Sequence, residues 1–356
     1  MTNQNELDGF YEDLAAAQLI PLWTAIGDLM PSTPRSHAHA HLWPWSELCN
    51  AAERAGALVP VGRGGERRAI ALANPGLGGS PFATPTLWAA IQYLNAGEHA
   101  PVHRHSQHAF RFVIEGEGVA TVVNGDAVPM RRGDFLPQAG GNWHSHVNNS
   151  DRPMSWIDGL DIPFQRQIDS TFFQPGAPSD NGGDDIVVPK EHSRSERLWG
   201  RAGVRPLSHV CLDASNPLLV YRWEVTDAAL AEQLELELEG VPATVSPGHA
   251  AIRFTNPVTG GDALPTIRAE FHRLRPGAST TEGREVGSSV FQVFEGRAEV
   301  AVGEQRWTVE RGDVFVVPSW QSLTIMSAAG VDLFRFSDSP IMERLGLARA
   351  PLWDVY

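Results

Sequence analysis

Two histidines two positions apart, His103 and His105, stand at the head of a strand-like run, HRHSQHAFRFVIEG. On an extended chain, residues i and i+2 share one face and lie about 6.5–7 Å apart. Both imidazoles can therefore reach one metal ion while Arg104 points the other way. A second alternating pair, His144 and His146 in GNWHSH, offers a third ligand, and only one of the two can share a given face. Imidazole donors suit zinc, copper, iron and nickel alike, and three histidines also suit catalytic zinc, so ligand type leaves the metal open. A further run, His37, His39 and His41 in SHAHAHLW, has the same spacing, but its setting is Pro-rich and it has no partner motif. It reads as a solvent-exposed tract of a terminal arm. His108 reads as structural or as a pocket-edge residue.

The elements that must hold these histidines are short strands. The chain has 356 residues, enough for roughly two domains of ~150 each. Gly 34 and Pro 26 imply many turns. From about Ile91 short β runs separated by NGD and RRGD turns dominate. Helices are expected over 6–17, over 45–56 after Pro44, and over 226–240 with Thr226 or Asp227 as cap. The polar, Gly/Pro-rich stretch 174–195 reads as a linker. A net charge of -14, from 42 acids and 28 bases, repels nucleic acid and anionic membranes. An anionic small substrate then needs a local basic pocket. Two cysteines, Cys49 and Cys211, give no disulfide framework. The sequence shows no export signal and no apolar run of ~20 residues, so a cytoplasmic protein is expected.

Two regions repeat each other. FVIEGEGVATV (112–122) aligns with QVFEGRAEVAV (292–302), and RRGDFLPQ (131–138) with ERGDVFVV (310–317). DIP at 161–163 echoes DSP at 338–340. A repeat of this length is a duplicated domain, and two similar small β-barrels or sandwiches follow.

At these motifs the chain resembles the bicupins. The first cupin motif falls on Gly97, His103, His105, Ala109 and Gly116, the second on Gly133, Ala139, Gly141, His144 and Asn148. The resemblance implies an all-β-dominated fold: two double-stranded β-helix (jelly-roll) barrels with short flanking helices. Its divisions are an N-terminal helical or arm segment (1–80), a metal-bearing cupin (81–173), a linker and inter-domain segment (174–264), and a second cupin (265–356). Ala109 stands where the motif carries a glutamate ligand, leaving a neutral His103/His105/His144 triad. In the second repeat the corresponding positions are Gly283, Glu285 and Leu323, so that copy is expected to have lost its metal.

Beyond the motifs, IPLWTAIGDLMP (20–31), LVPVGRGGERRAIALANPGLGG (58–79), LWAAIQYL (87–94), HRHSQHAFRFVIEGEG (103–118) and WIDGLDIPF (156–164) resemble the gentisate 1,2-dioxygenase family. That family includes salicylate and 1-hydroxy-2-naphthoate dioxygenases. The resemblance implies one Fe(II) per chain, an aromatic hydroxy acid and O2 as substrates, and homotetramers. Gentisate would open to maleylpyruvate; salicylate or 1-hydroxy-2-naphthoate are the alternatives, and a non-dioxygenase metal cupin is the more distant one. It assigns Arg67 and Arg111 to the substrate oxygens. Trp88 and Gln92 would line the pocket, with Ala90 between them setting how closely the ring approaches. His146 would face the substrate and Asp158 would orient it. Arg63 and Arg68 read as structural.

Overall fold

The strand Ala109–Glu115, AFRFVIE, divides its side chains between two cores. Successive residues on a strand point to opposite faces. Phe110, Phe112 and Ile114 join one apolar cluster with Phe271, Phe294, Phe334 and Phe336. Val113 joins another with Val119, Met130 and Trp156. In the computed structural model, which describes residues 2–60, 68–176, 189–208 and 215–348, this alternation separates the seam between two barrels from the interior of the first. The second barrel has its own interior around Phe291, Val300, Phe315 and Leu333. The seam is aromatic-rich: Phe112 and Phe334 stack with centroids 4.0 Å apart. Each phenylalanine so buried contributes about 1.5–3 kcal/mol.

The first barrel closes two five-stranded antiparallel sheets on each other. One runs Ala69–Ala71, Trp88–Leu94, Met154–Leu160, Ala109–Glu115, Phe135–Gln138; the other runs Phe173–Pro175, His99–His105, His144–Asn148, Glu117–Val123, Asp126–Arg131. In the second barrel the long strand Ser289–Val302 serves both sheets, pairing with Val314–Val317 and Val331–Ser337 along one half and with Gln305–Glu310 and Ser322–Ser327 along the other. The molecule is a bicupin, as the motifs imply.

The barrels are cross-braced by a feature the motifs do not cover. Strand His41–Trp43 precedes helix Trp45–Leu58, yet it pairs with Val314–Val317 of the second barrel. Tyr221, just before helix Trp223–Leu238, bridges Phe135 of the first. Each helix is capped from the opposite barrel: Asp313 Oδ1 accepts from Trp45 N at 2.8 Å, and Asp134 Oδ1 from Trp223 N at 3.1 Å. The helix bodies lie on their own barrels, against strands Trp88–Leu94 and His249–Arg253 respectively. The repeat thus extends beyond the cupin motifs.

Three expectations change here. The helix anticipated at 226–240 begins at Trp223, with Arg222 rather than Thr226 or Asp227 at its N-cap, because Asp134 satisfies its first N–H. The His37–His41 tract exposes His37 and His39 as expected, but it is docked rather than a free arm: His41 lies in the strand paired with the second barrel, and the backbone of His39 exchanges two hydrogen bonds with the Asn74 side chain. The stretch 174–195 opens in a strand paired with His103–His105 and ends in helix Arg194–Trp199, which begins with a capping box at Ser193 and Glu196, while 177–188 lie outside the described residues.

Met1–Ser36 forms one compact unit and His37–Tyr356 another. The first holds helices Thr2–Ala16 and Leu22–Leu29, joined by a bond from Trp23 Nε1 to Tyr11 OH at 3.1 Å. Among the described residues no helix is long and apolar enough to cross a membrane.

Candidate metal centre

His103 and His144 face each other across a strand pair, and His105 lies two residues along the first strand. All three are buried, and one donor atom from each falls within 4.8 Å of the others. Among the described residues they form the one such group of three. Each ring is fixed in the same way. Nδ1 lies 2.9 Å from the Pro101 carbonyl in His103, 3.1 Å from the Gln107 carbonyl in His105 and 3.0 Å from the Asn142 carbonyl in His144. A carbonyl only accepts, so these contacts suit a proton on Nδ1 and leave each Nε2 the lone pair that a metal needs, although His144 Nδ1 also lies 2.7 Å from Gln138 Nε2. The donor set is three neutral imidazoles with no carboxylate, since Ala109 stands at the glutamate position. These residues fit a divalent transition metal.

Outer-face contacts brace the ligand strands. Arg104, pointing away from its two histidine neighbours, lies 4.7 Å over the Trp143 ring and donates to Gln174 at 2.8 Å. That ties the strand of His103 and His105 to the residue preceding His144. Phe173 stacks on His103 at 5.2 Å. The His108 backbone donates to Asp161, and its Nδ1 accepts from Gly140 N at 3.2 Å, tethering the loop that leads into His144.

Around the triad the barrel interior is polar. Arg111 is 1% exposed; it donates to Gln138 Oε1 at 2.7 Å and lies 3.9 Å from Asp158. Burial lowers its guanidinium to about 10 against the pull of Asp158, so it remains a cation at neutral pH. Asp158 also accepts from Trp156 Nε1 at 3.0 Å, and the Trp156 ring lies 5.3 Å from that of His146. His146 is fully buried, with Nδ1 2.9 Å from the Thr121 hydroxyl. That hydroxyl also lies 3.1 Å from Met130 Sδ. Trp88, Ala90 and Gln92 alternate with Ala89 and Ile91, which belong to the seam. Gln92 is 1% exposed, and its Oε1 has no hydrogen-bond partner among the described residues. Arg63 and Arg67 lie outside the described residues. Arg68 donates to the Gly56 and Val59 carbonyls and pairs with Glu98, a structural role.

Gln138 and Thr121 escaped the sequence reading. For Gln138 a signal existed, because its counterpart in the second repeat is Val317, and polar for apolar inside a barrel marks a site.

Among the described residues the second barrel holds no equivalent group of three. Gly283 pairs with Leu323 as His103 pairs with His144. Arg335 takes the register of Asp158, and it binds Glu270 and Glu285.

Residues 90–162 match the family model of the cupin domain. The chain is 55% identical to a gentisate 1,2-dioxygenase of Streptomyces sp over 350 residues, 98% of this chain and 96% of that one. The chain belongs to the gentisate 1,2-dioxygenase family. A 5-aminosalicylate 1,2-dioxygenase of Comamonas sp is 32% identical over 97% of this chain and 90% of its own. The family likeness extends to structure: a salicylate 1,2-dioxygenase of Pseudoaminobacter salicylatoxidans, solved with gentisate, superposes with a TM-score of 0.93 at 56% identity, over 97% and 93% of the two chains. This chain is accordingly a ring-cleaving dioxygenase, and its histidine triad can hold the family's metal.

Proposed function

We propose that the protein opens the ring of gentisate with O2, using one Fe(II) held by His103, His105 and His144, to give maleylpyruvate. The observation that carries this reading is the pairing of a carboxylate-free histidine triad with a buried cation, Arg111, in one barrel interior. Iron at this triad supplies a site where the substrate's carboxylate and adjacent hydroxyl chelate and where O2 is activated. The chain's own residues do the rest. Arg111 binds a substrate oxygen; a charge-assisted bond of this kind contributes ~1.5–3 kcal/mol. Arg67 is assigned to the same anion. Gln92 Oε1 accepts from a substrate hydroxyl, and Trp88 and Ala90 flank the ring. His146, held at Nδ1 by Thr121, serves as a proton acceptor or donor beside the substrate. Asp158 fixes Trp156, against which His146 rests, and balances Arg111.

Salicylate is the second reading, favoured by the 56% identity to a salicylate 1,2-dioxygenase. The deciding experiment measures oxygen uptake by anaerobically iron-loaded protein with gentisate, salicylate, 5-aminosalicylate and 1-hydroxy-2-naphthoate. Gentisate is expected to be turned over fastest, with about one Fe(II) per chain. Full zinc occupancy without oxygen uptake ends the reading. The homotetramer implied by the family belongs to this proposal too, and sedimentation tests it.

A further inference from the structure

Gln138 joins two groups that the proposed reaction uses separately. Its Oε1 lies 2.7 Å from Arg111 Nη1, and its Nε2 lies 2.7 Å from His144 Nδ1; all three residues are 1% exposed. Arginine only donates, so the amide atom facing it must be the oxygen. The amide NH2 therefore faces His144. A His144 that binds metal through Nε2 carries its proton on Nδ1, where the Asn142 carbonyl accepts it. The Gln138 NH2 then meets an N–H rather than a lone pair. This orientation suits the tautomer that cannot hold a metal.

We infer that Gln138 is a positioning residue whose amide turns over on metal loading, giving its oxygen to His144 Nδ1–H and releasing Arg111 for the substrate anion. Turned over, the amide presents NH2 to Arg111 Nη1. Two donors repel, so the guanidinium turns toward an acceptor, Asp158 or an incoming carboxylate. In the other sense, an anion that draws Arg111 away frees the amide oxygen for His144 and tightens the metal. The coupling is reciprocal by linkage. It rests on the metal reading above.

The test is a double-mutant cycle on metal affinity, measured with Zn(II) by chelator competition without substrate or O2. Arg111→Met removes the competitor for the amide oxygen and a nearby positive charge, and both effects tighten the metal. Only the first depends on Gln138. The gain from Arg111→Met should be about tenfold larger in the parent than in the Gln138→Leu background, a factor typical of one buried hydrogen bond. Equal gains in the two backgrounds overturn the inference. A purely structural Gln138 would lower affinity and melting temperature without this non-additivity. If Gln138→Leu does not fold, Gln138→Glu replaces it. A carboxylate accepts from both sides at once, so the extra gain should again vanish, and its persistence is the overturning result. Normal oxygen uptake with no coupling sinks this inference alone; coupling without uptake sinks only the proposed reaction.

Discussion

The Thr266 hydroxyl donates to Asp161 Oδ2 at 2.6 Å, from one cupin repeat to the other, and Thr86 donates to Asp338 in the reverse direction. Thr86 in TPTLW and Thr266 in LPTIR hold the same place in the two repeats, as do the two aspartates. Asp161 also receives the His108 backbone N–H, and Asp338 that of Ser288. The duplication is therefore visible in the bonds that join the repeats as well as within each.

Thr266→Val keeps the shape and removes the donor, leaving a buried carboxylate oxygen short of a partner. A loss of about 1–3 kcal/mol in denaturant unfolding is expected. Because Asp161 also anchors the backbone of His108, metal affinity should fall with it. A melt unchanged from the parent would remove the bond from the account.

Burial pushes the Asp338 carboxyl up to about 6, against the bonds from Thr86 and Ser288 and the nearby charge of Arg335. A carboxyl raised on folding binds its proton more tightly in the native state. Its contribution to stability is greatest below its unfolded value and is lost as pH rises from ~4 to ~6. Asp338→Asn stays neutral throughout and can accept from Ser288 while donating to the Thr86 oxygen. Relative to the parent, the variant should gain on the order of 2 kcal/mol between pH ~4 and ~7. Unfolding titrations at several pH values check this; parallel curves would refute it.

Gly133 and Gly312 hold φ of +86° and +93°, and a Cβ on either would lie 2.8 Å from Trp223 or 2.3 Å from Trp45. Gly133→Ala combines left-handed strain with overpacking of an indole. The expected cost is about 2–4 kcal/mol, seen as a lower unfolding midpoint, and Gly312→Ala should behave alike. A cost below ~0.5 kcal/mol at both sites would show that the indoles yield without penalty.

His144→Ala should abolish both metal binding and turnover. Glu285→Ala, in the other barrel at the position matching His105, should leave both within about twofold, since its partner Arg335 keeps Glu270. Metal content and oxygen uptake on the two purified variants decide it. Equal losses would mean that the barrels share the chemistry.

The sequence made some of this legible and hid the rest for physical reasons. Strand periodicity and the glycine positions of the motifs are local, so His103, His105 and His144 stood out in the bare sequence, as did the repeat itself. The start of helix Trp223–Leu238 was hidden because its cap comes from Asp134, in the other barrel. The docking of the His37–His41 tract was hidden because its strand partner lies near residue 315. Gln138 was missed because an isolated glutamine carries no motif; its meaning depends on Arg111 and His144 meeting on either side of it.

The cross-capped helices give the second barrel a task. Helix Trp45–Leu58 lies on the strand that carries Trp88, Ala90 and Gln92, while Asp313 and Gly312 of the other repeat seat its first turn. Severing the gene between the repeats would strip each half of the socket for its own helix. The second barrel thus acts as scaffolding for the first, and each half holds the seat of the other's helix.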